Sequence, residues 1–165
     1  SRAALLPGAP RRRPAAAPEA AAVADPQIEC MLADWDADRP VLQRIRRAVF
    51  VQEQQISQKD EWDDEDARSV HVLARLNRDP VGTGRLSPAG KIGRIAVYAG
   101  LRGRGVGTQI LLRLLEEARR HGIRRPDLHA QVQAVPFYET LGFSREGDEF
   151  DEAGIPHVRM SLVLE

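Results

Sequence analysis

"LRGRGVGTQILLRLLEEARRHG", Leu101–Gly122, decides how this chain is read. From Val106 onward, Val106, Ile110, Leu114 and Ala118 recur every four residues, with Leu111 and Leu115 beside them. That spacing is the broad apolar stripe of a core-facing helix. Gly122 suits the left-handed residue that closes a helix, and Arg119, Arg120 and His121 suit the negative end of its dipole. Three glycines and two arginines stand directly before this helix. The first N–H groups of a helix have no intrahelical partner and carry positive partial charge, so an anion caps them naturally. Gly103, Gly105 and Gly107 let the backbone bend and approach a ligand, and Arg102 and Arg104 add charged donors. The segment therefore reads as a phosphate cradle between a strand and a helix. A plain tight turn with solvated arginines would need one glycine, not three.

The spacing narrows the phosphate. Glycines at 103, 105 and 107 do not make the dinucleotide G-x-G-x-x-G fingerprint. Gly100 and Gly105 have the separation of a P-loop, but Val106 and Gly107 stand where Lys and Ser/Thr are required. What the stretch does contain is R-x-x-G-x-G, from Arg102 to Gly107.

The rest of the chain reads as one α/β domain. Residues 1–26 are rich in Ala and Pro, contain Arg11-Arg12-Arg13 and lack aromatics, which is the composition of a disordered tail. From Gln27 to Glu165 the expected order is β-α-β-β-β-α-β-α-β-β. "QIECMLA" is the first strand, residues 39–51 the first helix, and "VHVLARLN", "VGTGRLS" and "KIGRIAVYA" the next three strands. The Leu101–Gly122 unit follows, then the strand "PDLHAQVQ", a short helix in "AVPFYETLGF" and two closing strands. Lys+Arg equals Asp+Glu at 24 each, a balance that gives no sign of a nucleic-acid partner. No apolar run approaches the roughly 20 residues of a membrane span. The single Cys30 excludes an internal disulfide and a thiolate metal cluster, and implies a reducing, cytoplasmic setting. It lies in an apolar pattern and reads as a core thiol rather than a nucleophile. The histidines lack metal-ligand spacing, so no metal is expected.

R-x-x-G-x-G after a strand, with "FYETLGF" downstream, resembles the GNAT superfamily of acetyl-CoA-dependent N-acetyltransferases over about Gln27–Glu165. Val49, Phe50, Val51, Glu53, Gln54, Ile56, Glu61, Asp63, Asp66 and His71 are similar to the ElaA-like and YjcF-like branch, as is the ending "EFDEAGIPHVRM". The resemblance implies a mostly antiparallel twisted sheet of about six to seven strands flanked by about four helices. It implies that acetyl-CoA is the cosubstrate and that an amine attacks it directly in a ternary complex. It places the diphosphate on Arg102, Gly103, Arg104, Gly105, Val106, Gly107 and Thr108. It places Ile95, Ala96 and Val97 on a splayed strand whose amides face the cosubstrate, with Phe137 also beside it. A homodimer is compatible with it, since dimers are common in families of this kind.

Amine acetylation needs a polarised carbonyl, loss of the ammonium proton and a proton for the departing thiolate. The resemblance offers Tyr138 as the general acid; the alternative is a core aromatic beside Phe137 and Phe143. Glu53, at the end of the first helix, is a candidate base, with a solvated helix-end carboxylate as the alternative. Among His71, His129 and His157, His129 ranks next after Glu53, because its strand faces the cleft. The acidic run Asp60–Asp66 could steer a cationic amine or simply be solvated, and Trp62 inside it could pin the loop. The competing functions are an acyl-CoA-binding regulatory module without turnover and, more weakly, a nucleotide-phosphate binder.

Overall fold

The structure, a computed structural model, describes residues 27–53 and 64–165, with the backbone alone at Gln52 and Glu53. The expected tail at 1–26, Trp62 and most of the acidic run lie outside the described residues.

Seven strands form one sheet: β1 (Ile28–Ala33), β2 (Val70–Leu76), β3 (Asp79–Leu86), β4 (Lys91–Val97), β5 (Asp127–Gln131), β6 (Ser144–Glu152) and β7 (Ile155–Ser161). Their spatial order is β1-β2-β3-β4-β5-β7-β6. Every neighbouring pair is antiparallel except β4 and β5. Three α-helices are described: α1 (Trp35–Arg46), α2 (Val106–Arg120) and α3 (Val135–Thr140). The first helix starts four residues before its expected position. The Asp34 side chain accepts from the Ala37 amide at 3.2 Å and caps it, and Pro40 sits inside it without ending it. At its far end α1 passes into a π-helical segment, Arg47–Glu53, which occupies the rest of the expected helix. The resemblance gave about four helices; this widened continuation of α1 is not a separate α-helix.

The sheet is covered on both faces. On one, Ile110, Leu111, Leu114 and Leu115 of α2 pack against Ile92, Ile95, Val97, Leu128 and Met160. On the other, Leu42 and Ile45 of α1, with Val49 and Phe50, pack against Leu73 and Ala96. The α2 stripe thus does what its spacing requires. It approaches β3 closely because Gly82 and Gly84 have no side chains. A Cβ at Gly84 would meet Ile110 Cγ2 at 2.6 Å and Leu114 Cδ1 at 2.9 Å.

One irregularity positions everything functional. Arg85 pairs with Gly93 and Thr83 with Ala96, so Arg94 and Ile95 together stand opposite Gly84 alone. This is a β-bulge, and Arg94 takes a left-handed φ of 52° to make it. The bulge falls directly beyond the last β4–β5 pair. At the outer edge of the sheet β6 also loses register, between Glu146 and Phe150, with Gly147 at φ 82°.

Gly84→Val is expected to lower unfolding stability by about 1–3 kcal/mol by forcing α2 away from β3. Urea denaturation monitored by circular dichroism measures it.

Candidate active site

β4 and β5 pair at two positions, Lys91↔Asp127 and Ile92↔Leu128, and then diverge. On its other side β4 stays paired, with Ala96 opposite Thr83 and Val97 opposite Gly82. The β5-facing side of the main chain at Ile95, Ala96 and Val97 therefore lines an opening in the sheet. These residues are fully buried, so the parting of the two strands lies inside the folded chain.

At the top of β4 the chain turns through a 3-10 segment, Ala99–Leu101, into the glycine cradle. Gly103 and Gly105 take φ of 83° and 84°. Space does not demand glycine there, since a Cβ at either would meet nothing within 4 Å; the left-handed backbone does. Gly107 is different: it lies in the buried first turn of α2. No side chain caps α2 and no acidic residue occupies its first turn, in contrast to α1 with its Asp34 cap. The cradle is thus an exposed bend ending in helix amides that no protein group caps. Its chemistry suits a diphosphate. Arg104 is exposed, whereas Arg102 is half-buried and its Nε donates to the Val97 carbonyl at 3.2 Å. Arg102 ties the cradle to the end of β4.

Tyr138 lies on α3, fully buried, with its ring edge-on to Phe137 and Phe143 at 5.5 and 5.7 Å. Both readings offered for it from the sequence meet here: it packs as a core aromatic and carries a phenol. Burial drives its pKa far up, so the phenol keeps its proton throughout the working pH range. Phe137 is half-buried beside it. Glu53 ends the π-helical segment, and its side chain lies outside the described residues.

The histidines separate into different environments. His71 is buried, stacks on Trp35 at 4.8 Å and has Nε2 2.8 Å from the Asp66 carbonyl. His157 has Nδ1 2.6 Å from the Ile155 carbonyl and stacks on Phe150. His129 stands one residue beyond the last β4–β5 pair. Leu128 and Ala130 face the α2 core, so His129 projects from the opposite face of the sheet. There its Nδ1 lies 2.8 Å from Glu152 Oε1, and its Nε2 lies 2.9 Å from Lys91 Nζ. An ionised carboxylate only accepts, so Nδ1 carries the proton, and Lys91 Nζ lies against the ring, 3.2 Å from Nδ1 and nearer the unprotonated Nε2. Burial alone would push the Glu152 carboxyl up; the hydrogen bond and charge of His129, with His157, outweigh it and hold it below the ordinary range. Burial lowers the Lys91 ammonium, opposed by Glu152, Asp127 and Glu65. Neither Lys91 nor Glu152 stood out in the sequence. Their only signal was Glu152 inside the family-like ending "EFDEAGIPHVRM".

The acidic run is partly structural. Asp66 is buried and accepts from Arg46 at 2.9 and 3.1 Å and from Arg85 at 2.9 Å. Glu65 lies 3.6 Å from Arg85. This clamp joins α1 to β3 behind Trp35, whose ring lies 5.8 Å from the Arg46 guanidinium. Cys30 is half-buried, and burial pushes its thiol up to about 11, so it is no nucleophile at neutral pH. No group of three metal-ligating side chains occurs among the described residues, and no described helix is long and apolar enough to cross a membrane.

The opened parallel pair, the helix without a side-chain cap and the cradle make up the candidate site. A family model described as "Acetyltransferase (GNAT) domain" matches residues 38–164. YjcF of Bacillus subtilis, an uncharacterized N-acetyltransferase, is 38% identical over 120 residues, covering 70% of this chain and 86% of its own. The protein ElaA of Escherichia coli is 34% identical over 128 residues, 73% of this chain and 84% of its own. Its crystal structure superposes with a TM-score of 0.74 over 82% of this chain and 99% of that one, at 29% identity. A GNAT family acetyltransferase from Elizabethkingia anophelis with acetyl-CoA bound shares the fold, with a TM-score of 0.66 over 85% of this chain and 100% of that one, at 17% identity. The chain belongs to the GNAT acetyltransferase family and is an acyltransferase of that class.

Burial lowers the pKa of His71 below its ordinary 6.5, against the opposing hydrogen bond to Asp66. The unfolded chain then binds the proton more readily, so stability is full above pH 6.5 and falls as pH drops from there toward the folded value. Urea melts at pH 8 and pH 5 should show this loss, and His71→Gln should reduce it.

Proposed function

We propose that this chain transfers an acetyl group from acetyl-CoA to a primary amine by direct attack in a ternary complex. The observation that carries the reading is the parting of β4 from β5 directly below an uncapped helix preceded by left-handed glycines. The backbone amides from Gly103 to Thr108, with Arg104 beside them, would hold the diphosphate. Arg102 would act on the cradle from below, through its bond to Val97. The main chain at Ile95, Ala96 and Val97 would polarise the acyl carbonyl, an effect commonly worth a few kcal/mol of barrier. Acetyl-CoA supplies a thioester, an acetyl group already activated toward an amine.

Tyr138 is assigned the proton for the departing sulfur. Its phenol is held neutral by burial, the state a donor must have. The base is drawn from the His129 cluster or from Glu53. An amine acceptor fits the face on which the His129 cluster lies, with a small molecule or a peptide amine as its carrier. A cytoplasmic setting and the 1–26 tail remain parts of this reading that rest on composition.

Thiol release from acetyl-CoA against a panel of primary amines tests the proposal. Turnover with at least one amine is expected; tight coenzyme A binding with no release under any acceptor would favour a binding module instead. Tyr138→Phe should lower kcat roughly 100-fold with little change in acetyl-CoA affinity, while unchanged turnover across pH would remove the phenol from the mechanism. Gly105→Val places a β-branched residue at φ 84° and should weaken coenzyme A binding at least roughly tenfold in a folded protein, as read by calorimetry.

A further inference from the structure

The Lys91–His129–Glu152 row is the one cluster of titratable groups at the mouth of the β4–β5 opening among the described residues. Lys91 is the first residue of β4 and pairs with Asp127, one pair before the two strands separate. Ile92 faces the α2 core, which sends Lys91 to the opposite face, beside His129. His129 cannot be the group that meets the acceptor. Lys91 Nζ lies against the ring, 2.9 Å from Nε2 and 3.2 Å from Nδ1, and Nδ1 is also engaged by Glu152 at 2.8 Å. Lys91 is half-buried.

We propose that Lys91 is the base that takes the acceptor's proton, aimed from behind by His129 and Glu152. This rests on the acetyltransferase reading given above. In the step, the acceptor ammonium gives one proton to the neutral Lys91 amine, and the freed nitrogen lone pair attacks the thioester carbonyl. The C–N bond forms, the C–S bond breaks, and the thiolate leaves with a proton from Tyr138. The second proton shed by the nitrogen replaces that proton through solvent. The first proton ends on Lys91 and leaves to water between turnovers; nothing is oxidised or reduced. The new Lys91 ammonium donates to His129 Nε2, and the imidazole passes the negative charge of Glu152 toward it. His129 and Glu152 are thus positioning residues. A lysine serves as a base only if its ammonium is weakened, and burial does that here. The charged and titratable groups facing it are His129 and Asp127 from β5, Glu152 from β6, Arg159 from β7 and Glu65 from the segment before β2. Glu152, Asp127 and Glu65 oppose the weakening and set its limit; Arg159 adds to it.

Two substitutions and one titration test the assignment. Lys91→Arg keeps the positive charge and the hydrogen bond to Nε2 but cannot lose its proton. A purely structural lysine is rescued by arginine; a base is not. Both Lys91→Arg and Lys91→Met are expected to lower kcat roughly 100-fold with the KM for acetyl-CoA within about twofold of wild type. In both, the rate that remains should rise with pH as free amine accumulates. Activity of Lys91→Arg near wild type, with a parallel pH profile, would overturn the proposal. The titration needs no turnover. Trace labelling with acetic anhydride across pH, read by peptide mass spectrometry, compares Lys91 with Lys59, the chain's other lysine. Lys91 should titrate lower than Lys59, and lower still in Glu152→Gln. Lys91 titrating together with Lys59 refutes the base by itself. A wild type that releases no thiol with any amine refutes the acetyltransfer reading instead, so the two failures are told apart.

Discussion

Two strands that run parallel for two residue pairs and then part are the constraint on which the rest of this molecule depends. Parallel strands normally stay paired because unpaired main-chain groups inside a protein are costly. Here the separation is enforced by packing and not left to chance. The bulge at Arg94–Ile95 turns β4 away just after Ile92 pairs with Leu128, and Gly84 opposite it lets α2 press against the bent strand. The same strand leads upward into a helix end whose first amides no side chain caps.

The opposite face of the sheet is organised by charge. Asp66 gathers two buried guanidinium groups, Arg46 and Arg85, with no more than 4% of any of the three side chains exposed. Such a group is costly to assemble and more costly to break, because removing the carboxylate would strand two desolvated cations. It fixes α1 relative to β3 and so fixes the wall that faces the Lys91 row. An acidic run that resembles a solvated, steering surface is therefore, at Asp66, an internal strut.

How much of this was legible in the sequence depends on whether the signal is local. The α2 stripe, the Gly122 stop and the glycine cradle are set by neighbours within a few positions, and the order of strands and helices followed from them. The R-x-x-G-x-G stretch was readable because its chemistry is backbone chemistry, carried by missing side chains. Within it, the expectation that all three glycines bend the chain is refined: Gly103 and Gly105 do, while Gly107 belongs to the helix. The start of α1 was misplaced because its apolar spacing begins only at Val41, whereas the Asp34 cap starts the helix at Trp35. The bulge at Arg94 left no trace, since arginine is not a residue that announces a left-handed backbone. Nor could Lys91, His129 and Glu152 be grouped: they are 38 and 23 positions apart and meet only through sheet register.

The loss of register in β6 has a consequence for how these molecules tolerate one another in concentrated solution. That strand is an outer edge of the sheet, a position at which a bare row of main-chain donors and acceptors invites a neighbouring chain to dock. Gly147 kinks the row, and Glu146, Asp148, Glu149 and Asp151 crowd it with negative charge. Two copies laid side by side along β6 would bring like charges face to face over an interrupted ladder, so fibril-like stacking is discouraged at that margin without any covering helix.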